Sequence, residues 1–187
     1  MPYAGVRSTG SGFDDNALFA SVVMPHIDAA YRLARWLTGS RTDAEDVVQD
    51  ASLRAFRAIR GFAGNNARAW VLSIVRNTAY AWLRKNRAGV IVTVEDLEAV
   101  EAAQPNLGQP DAATPEAVLI AKTDTERLRA AIAALPMPFR EMLVLRDIEG
   151  LNYREIAAVS EVPIGTVMSR LARARCRLIA TIGRENT

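Results

Sequence analysis

Apolar and polar positions follow a helical rather than a strand period along most of the chain. The clearest stretch is residues 153–178, where two short amphipathic segments flank a turn at residues 160–162. In the second segment, residues 164–179, apolar residues recur every three or four positions, which places them on one stripe of a helix. These residues are Ile164, Val167, Met168, Leu171, Ala174 and Leu178. The pattern predicts a helix-turn-helix whose second helix buries this stripe, including Met168.

The opposite stripe of that second helix is polar and basic. It is formed by Thr166, Ser169, Arg170, Arg173, Cys176 and Arg177. Because Arg can make bidentate contacts with guanine edges in a major groove, the pattern predicts a DNA-reading helix. A solvated basic face on an ordinary helical hairpin is the alternative that this stretch alone leaves open. Glu161 is expected to take the left-handed conformation in the turn, and Arg175, near the apolar stripe, is expected to pair with a carboxylate.

The first half of the chain carries three further helical stretches, residues 16–38, 42–60 and 67–87. Pro25 is expected to interrupt the first stretch. Asp14 and Asp15 offer it an N-cap. Thr42 and Glu45 match the capping-box spacing at the start of the second stretch.

Between the two halves the chain is acidic. Residues 90–126 contain eight acidic side chains and one basic side chain, Lys122, which is typical of a flexible linker between domains. Residues 1–13, which are rich in Gly and Ser, are expected to be disordered. Two short helical stretches follow the linker and precede the helix-turn-helix. The sequence therefore predicts an all-α fold with two small helical domains, residues 14–88 and 115–187, joined by an acidic linker, residues 89–114.

Three carboxylates share one stripe of the second predicted helix. Asp43, Asp46 and Asp50 are spaced by three and four residues, which suggests a metal site and a helical metal hydrolase. However, no second carboxylate pair or histidine at helical spacing completes a metal shell. Acidic residues near a helix N-terminus also interact favourably with the helix dipole. The stripe is better interpreted as a docking face for a protein partner, and neither a metal nor a cofactor is predicted.

The third predicted helix combines basic and aromatic residues. It contains Arg68, Arg76, Arg84, Lys85 and Arg87, with no acidic residue, and Asn77, Tyr80 and Trp82 lie among them. Phosphates require positive charge and unstacked bases require aromatic faces, so this composition favours a surface for single-stranded nucleic acid. The small and amide-bearing residues of the preceding loop, residues 60–66, favour a pocket for an extruded base.

Composition narrows the class of protein. The formal net charge is only +2, so nucleic-acid binding must come from local patches. A single cysteine, Cys176, excludes an internal disulfide framework and is typical of a reducing compartment. The N-terminus lacks the apolar region of a signal peptide, and no run of 18 apolar residues occurs. We therefore expect a cytoplasmic protein that does not insert into a membrane.

Four ordered blocks carry a resemblance to a known family. They are DAEDVVQDASLRAF, FAGNNARAWVLSIVRNTAYAWLRK, ALPMPFREMLVLRDIEGLNYREIA and VPIGTVMSRLARARCRL. Together they resemble bacterial RNA polymerase sigma factors of the extracytoplasmic-function (ECF) type, over residues 16–182. The resemblance implies a first domain that recognises and melts the −10 promoter element and a second that reads the −35 element as duplex. Neither domain would be an enzyme. The implied partners are core RNA polymerase (its β′ clamp helices and β flap), promoter DNA and an anti-sigma factor.

The resemblance also implies roles for individual residues. The polymerase-binding residues would be Asp43, Glu45, Asp46, Gln49, Asp50 and Arg54. The −10 residues would be Phe62, Gly64, Asn65, Asn66, Arg76, Asn77, Tyr80 and Arg84. The −35 residues would be Arg154, Thr166, Ser169, Arg170, Arg173 and Arg177. The chain departs from residues frequent in the family at Ser52, Ala81, Met168 and Ala172.

Two hypotheses from other classes stand beside this one. A stand-alone helix-turn-helix regulator would bind specific duplex DNA without polymerase, but it leaves the basic, aromatic helix of the first domain without a role. A metal hydrolase would show metal-dependent turnover that Asp46→Asn abolishes. The sigma-factor interpretation is favoured over both because it accounts for all four blocks.

Overall fold

A computed structural model describes residues 11–64, 66–87 and 121–185 of the chain. Every regular element in these three ranges is helical, so the predicted all-α class is confirmed. The chain divides into two compact units, the first ending at Ala79 and the second beginning at Tyr80. The predicted linker (residues 89–114), Asn65 and residues 1–10 of the predicted disordered N-terminus lie outside the described residues. The predicted domain boundaries stay predictions.

Pro25 interrupts the first helical stretch, as predicted. A turn of 3₁₀ helix, Met24–His26, separates the first two helices because proline cannot donate the backbone hydrogen bond that a continuous helix requires. Gly39 then closes the second helix in the left-handed conformation, with φ of 73°. The helices that begin in the first unit are α1 (Ser11–Val22), α2 (Ile27–Thr38), α3 (Arg41–Ala58) and α4 (Ala67–Asn86).

The predicted N-cap of the first helix is wrong. Helix α1 already begins at Ser11, so Asp14 and Asp15 lie inside it, and residues 11–13, which were expected to be disordered, form its start. The carboxylate of Asp15 pairs instead with Arg60, with 2.7 Å between Asp15 Oδ2 and Arg60 Nη2. Asp15 therefore forms an ion pair with a residue that is distant in sequence, although the local pattern had assigned it to a helix cap.

The predicted capping box of Thr42 and Glu45 is also wrong. Helix α3 begins at Arg41, and its N-cap is Ser40, whose Oγ accepts a hydrogen bond from the backbone N–H of Asp43 at 3.3 Å. Ser40 has the extended backbone that a cap requires. Glu45 instead accepts a hydrogen bond from Arg41 at 3.1 Å.

The first unit is built around a close contact between α2 and α3. Helix α3 contributes a buried stripe of mostly small residues, which allows the two helix axes to approach each other. The buried residues of this pair include Leu33 and Leu37 of α2 and Ala44, Val47, Ala51 and Ala55 of α3. Ser52 lines a cavity of about 10 Å³ in this core and donates a hydrogen bond to the carbonyl of Val48 at 2.7 Å.

The second unit contains four further α-helices within the described residues. The last of them packs against each of the other three. The largest buried side chains of this core include Phe139, Met142, Leu145, Ile156 and Leu171. The helices are α5 (Ala121–Ala134), α6 (Met137–Leu143), which continues as a π-helix over Val144–Ile148, α7 (Tyr153–Ser160) and α8 (Ile164–Glu185).

The turn between α7 and α8 has the predicted left-handed residue. Glu161 has φ of 56° and is the non-glycine residue with positive φ in the part of the chain that the structure describes. Its N–H donates to the carbonyl of Ala157, which ends α7. Gly150 takes a similar conformation, φ of 69°, before α7. Gly150 thus ends the π-helix before α7, and Glu161 ends α7 itself.

We expect Gly150→Ala to destabilise the protein by about 1 kcal/mol, because a Cβ strains the left-handed backbone. No atom lies within 4 Å of a Cβ built at Gly150, so the cost is that of backbone strain alone. Gly165→Ala is the matched control, since its Cβ also meets open space and its φ is not positive. Urea unfolding of both variants measures the difference; equal stability would contradict the strain assignment.

Candidate nucleic-acid interface

The entry into the helix-turn-helix is fixed by a capping box that the sequence analysis missed. The side chain of Asn152 accepts hydrogen bonds from the N–H groups of Arg154 and Glu155, each at 3.0 Å. Glu155 reciprocates by accepting from the N–H of Asn152 at 2.7 Å. The signal was present as Asn followed three residues later by Glu, a known helix-start pattern. Arg154, a predicted −35 residue, is exposed in the first turn of α7.

A second set of contacts ties this entry to the preceding π-helix. Arg146 donates from Nη1 to the carbonyl of Leu151 at 2.8 Å. The same guanidinium lies 5.1 Å from the ring centroid of Tyr153, a cation–π distance. The start of α7 is thus held by its own cap and by Arg146.

Helix α8 is buried along one narrow stripe. Val167, Leu171 and Ala174 are buried, as predicted. The prediction for Met168 is wrong, because 53% of this residue is exposed, and Ile164 is also 44% exposed. Each residue turns the helix by roughly 100°. Met168 therefore lies well around the helix from Val167, at an edge of the apolar stripe that the second unit does not cover.

The predicted DNA-facing residues of α8 lie on the side opposite the buried stripe. Ser169 and Arg173 are exposed, and Thr166 and Arg170 are half-buried. The hydroxyl of Ser169 donates to the carbonyl of Thr166 at 3.1 Å, which orients its oxygen. The structure therefore brings these four side chains together on one accessible face, which we call the polar front.

Arg177 packs against an aromatic ring of α6. Its guanidinium stacks over the ring of Phe139, 4.7 Å from the centroid, and the residue is half-buried. Because Phe139 is fully buried in the core, this contact joins α8 to α6. Cys176, the free cysteine of the chain, is half-buried.

Arg175 has the carboxylate partner that the sequence predicted. Its Nη2 lies 2.7 Å from Oδ1 of Asp147, which belongs to the π-helix. This hydrogen bond raises the pKa of the Arg175 guanidinium above its ordinary value. The contact directs Arg175 away from the polar front and toward the preceding helix.

In the first unit, the carboxylates of α3 form an exposed stripe. Asp46, Gln49 and Asp50 are exposed, and Asp43 is half-buried. Asp50 pairs with Arg54 at 2.9 Å. No group of three or more His, Cys, Asp or Glu residues that could hold a metal ion occurs in the ranges described. The stripe therefore has mixed charge and faces solvent.

The loop before α4 is closed by two contacts. The ring of Phe62 lies against Trp70, with centroids 5.0 Å apart. Asn66 caps α4, since its Oδ1 accepts from the N–H of Ala69 at 2.9 Å. Gly64 is exposed between them. The amide of Asn66 thus has a structural role at the start of α4.

The remaining predicted −10 residues follow one another along α4. Arg76, Asn77, Tyr80 and Arg84 are spaced by one, three and four positions, so they share a side of the helix. Arg76 donates from Nη1 to Oδ1 of Asn77 at 3.0 Å. Asn77 and Arg84 are exposed, and Arg76 and Tyr80 are half-buried.

Comparison with known proteins places both units in one family. The family model for Sigma-70 region 2 matches residues 22–89, and that for Sigma-70, region 4 matches residues 125–178. The chain is 35% identical over 136 residues to the ECF RNA polymerase sigma-E factor of Escherichia coli K12, covering 71% of this chain and 70% of that protein. The chain belongs to the ECF family of RNA polymerase sigma factors.

Other members of the ECF family extend the comparison. The ECF RNA polymerase sigma factor SigE of Mycolicibacterium smegmatis is 36% identical over 158 residues, which is 84% of this chain and 58% of that protein. The chain thus spans less than two thirds of the mycobacterial relative's length. Region 2 contains α2, α3 and α4, and region 4 contains most of α5 and the helix-turn-helix.

Two solved structures resemble this fold. One is the sigma factor RpoE of Bartonella quintana in complex with the anti-sigma factor NepR, at 26% identity and a TM-score of 0.66, covering 88% of this chain and 96% of that one. The other is CnrH in complex with the cytosolic domain of CnrY, at 26% identity and a TM-score of 0.60, covering 89% of this chain and 88% of that one. Among the helices described, none has the length and apolar character needed to cross a bilayer.

We expect the Asp147–Arg175 ion pair to contribute a coupling free energy below about 1 kcal/mol, because its side chains are 39% and 47% exposed. A double-mutant cycle with Asp147→Ala and Arg175→Ala measures this energy by urea unfolding. The coupling should fall as salt is added. A coupling above about 2 kcal/mol that resists salt would contradict the exposed geometry.

Proposed function

We propose that this chain binds core RNA polymerase and directs it to promoters, reading the −35 element as duplex through region 4 and the −10 element as a separated strand through region 2. The observation that carries the proposal is the geometry of α8. One side of this helix is anchored in the core, and the opposite side is an accessible front of Ser, Thr and Arg.

The polar front has the chemistry of a major-groove reader. Arg173 is exposed and can bind the acceptor edge of guanine, while Ser169 and Thr166 can bind bases or phosphates. Residues 163–184 contain five arginines and no acidic residue, so the helix attracts the phosphate backbone. Arg154, at the start of α7, is placed in this proposal at the backbone beside the groove, as the first helix of a helix-turn-helix usually is.

The −10 element is assigned to the loop before α4 and to the exposed side of α4. Phe62, Gly64, Asn65 and Asn66 would receive an extruded base, and Arg76, Asn77, Tyr80 and Arg84 would follow the separated strand. The ring pair of Phe62 and Trp70 offers an aromatic wall for a stacked base. Asn66 also caps α4, so a part in base capture would come in addition to this structural role.

Polymerase docking is assigned to the exposed stripe of α3. Its members are Asp43, Glu45, Asp46, Gln49, Asp50 and Arg54. A mixed but mainly acidic surface favours a partner with basic side chains, and charge complementarity mainly sets orientation and association rate. The polymerase supplies the chemistry of RNA synthesis, so this chain is assigned no catalytic residue, metal or cofactor.

An anti-sigma factor is proposed as a further partner. The structure of RpoE from Bartonella quintana, which this fold resembles, is a complex with the anti-sigma factor NepR. A protein of this class would hold the chain in the cytoplasm away from polymerase until it is released.

A stand-alone regulator differs from this proposal in one measurable respect. It would select a duplex sequence without polymerase, whereas the proposed sigma factor selects promoters only when it is bound to the core enzyme. The net charge of +2 favours the second behaviour, because non-specific affinity for DNA depends on phosphate contacts.

We expect Asp46→Asn to weaken binding to core RNA polymerase on the order of tenfold, which corresponds to about 1.4 kcal/mol, because it removes a charge from the docking stripe. Asp14→Asn is the matched control, since it neutralises an exposed carboxylate of α1 that lies off the stripe. Titration of labelled protein with core enzyme measures both affinities. Equal losses in the two variants, or none in Asp46→Asn, would contradict the docking assignment.

We expect Arg173→Ala to lower discrimination at one −35 base pair by about 1–3 kcal/mol, because it removes a contact to a base edge. Arg175→Ala removes the same charge from the same helix but from an arginine paired with Asp147, so its base preferences should be unchanged. Transcription by the holoenzyme from promoters with single −35 substitutions measures both. A loss that is uniform across all −35 sequences would make Arg173 a phosphate contact.

A further inference from the structure

The first turns of α8 expose an apolar surface beside the polar front. Ile164, Met168 and Ala172 are spaced by four residues, so they follow one another along the helix. Ile164 is 44% exposed, Met168 is 53% exposed and Ala172 is exposed. We call these three residues the apolar flank. It requires an explanation because an ordinary helix of this kind would bury its largest apolar side chains.

The apolar flank is separate from the core stripe of the same helix. Val167, one residue before Met168, is fully buried, and so is Leu171, one residue before Ala172. The helix is therefore already anchored by a complete buried stripe. Met168 is 53% exposed, so a large part of its side chain is available to a binding partner of α8.

The side of α8 between the apolar flank and the polar front is shallow. Gly165 carries no side chain, and nothing lies within 4 Å of the position its Cβ would take. Ser169 and Ala172 are small and exposed. A helix with small residues on its leading face can approach the floor of a major groove closely, and longer side chains at its edges then reach the base pairs. Met168 is such a side chain.

We propose that Met168 and Ala172 contact the 5-methyl groups of thymines in the −35 element. This inference rests on the proposed function, because it assigns α8 to that duplex. Thymine is the base that presents a methyl group in the major groove, and apolar side chains are its natural partners there. The apolar flank would therefore select thymine at one or two base pairs next to those that Arg173 and Ser169 contact.

The position of the apolar flank favours DNA over a protein partner. It lies in the N-terminal half of the second helix of a helix-turn-helix, the part that contacts base edges. Helix α8 also carries Arg173 and Arg170, which lie on the other side of Ser169 from the apolar flank, and their charges attract phosphates and would disfavour a basic protein surface. Ile179, which is 50% exposed, lies on the same side of α8 but about three turns beyond Met168 and is not part of the apolar flank.

The experiment replaces thymine with deoxyuridine, which removes only the 5-methyl group. Promoters selected by the holoenzyme from a library randomised across the −35 element are remade with deoxyuridine in place of each −35 thymine on either strand. Open-complex formation is measured for the wild type, Met168→Ala and the control variant Ile179→Ala. Met168 is 53% exposed and Ile179 is 50% exposed, so the two substitutions truncate side chains of similar exposure.

We expect deoxyuridine to lower open-complex formation roughly fourfold at one or two positions with the wild type and with Ile179→Ala, the effect of burying about one methyl group. With Met168→Ala the ratio between thymine and deoxyuridine at those positions should approach one. A full ratio retained by Met168→Ala would overturn the assignment to this side chain.

Two other results would also overturn the proposal. One is a selected −35 element that contains no thymine, and the other is a ratio of one at every position with the wild type. Either result leaves the proposed function standing and assigns the apolar flank to a protein contact. Failure of the holoenzyme to select any promoter would overturn the proposed function and this inference together.

Discussion

The rotation of α8 about its own axis is the constraint on which the DNA-reading account depends. Burial of Val167, Leu171 and Ala174 against the helices of the second unit sets that rotation. Slipping the packing by one residue would turn the helix by roughly 100°, so that a different set of side chains would face the direction now taken by the polar front. The Asp147–Arg175 ion pair and the stacking of Arg177 on Phe139 hold the same rotation from outside the core. The packing contacts of α8 thus determine which of its side chains face outward.

The helices, the Pro25 interruption, the left-handed Glu161 and the partner of Arg175 were predictable because each follows from local spacing or from backbone sterics. The N-caps were not predicted correctly: those predicted for α1 and α3 are wrong, and the capping box of Asn152 was missed. Several neighbouring side chains compete for each cap, and the backbone conformation decides between them, as at Ser40 and Asn152. The exposure of Met168 was not predictable either. A hydrophobic stripe indicates a direction of burial, but the width of the covering surface depends on residues distant in sequence.

At the candidate sites, too, some features were predictable from the sequence and others were not. Periodicity grouped Thr166, Ser169, Arg170, Arg173 and Arg177 on one side of α8, and the structure adds that Arg177 packs on Phe139. The same method grouped the carboxylates of α3, where Arg54 neutralises part of the stripe through Asp50. The loop residue Asn66 was assigned to base capture from the composition of its loop and from the resemblance, and its hydrogen bond with the N–H of Ala69 gives it a structural role as well. Sequence patterns are least informative about side chains that contribute both to the fold and to an interface.

If the chain acts as proposed, it gives core RNA polymerase a promoter specificity that neither has alone. We would map start sites by run-off transcription on a genomic promoter library, with core enzyme in the presence and absence of the protein. We expect new start sites that share two spaced elements upstream and that disappear when the protein is omitted. No new start sites, together with tight, sequence-specific binding of the protein alone to duplex DNA, would contradict the claim and identify a stand-alone regulator.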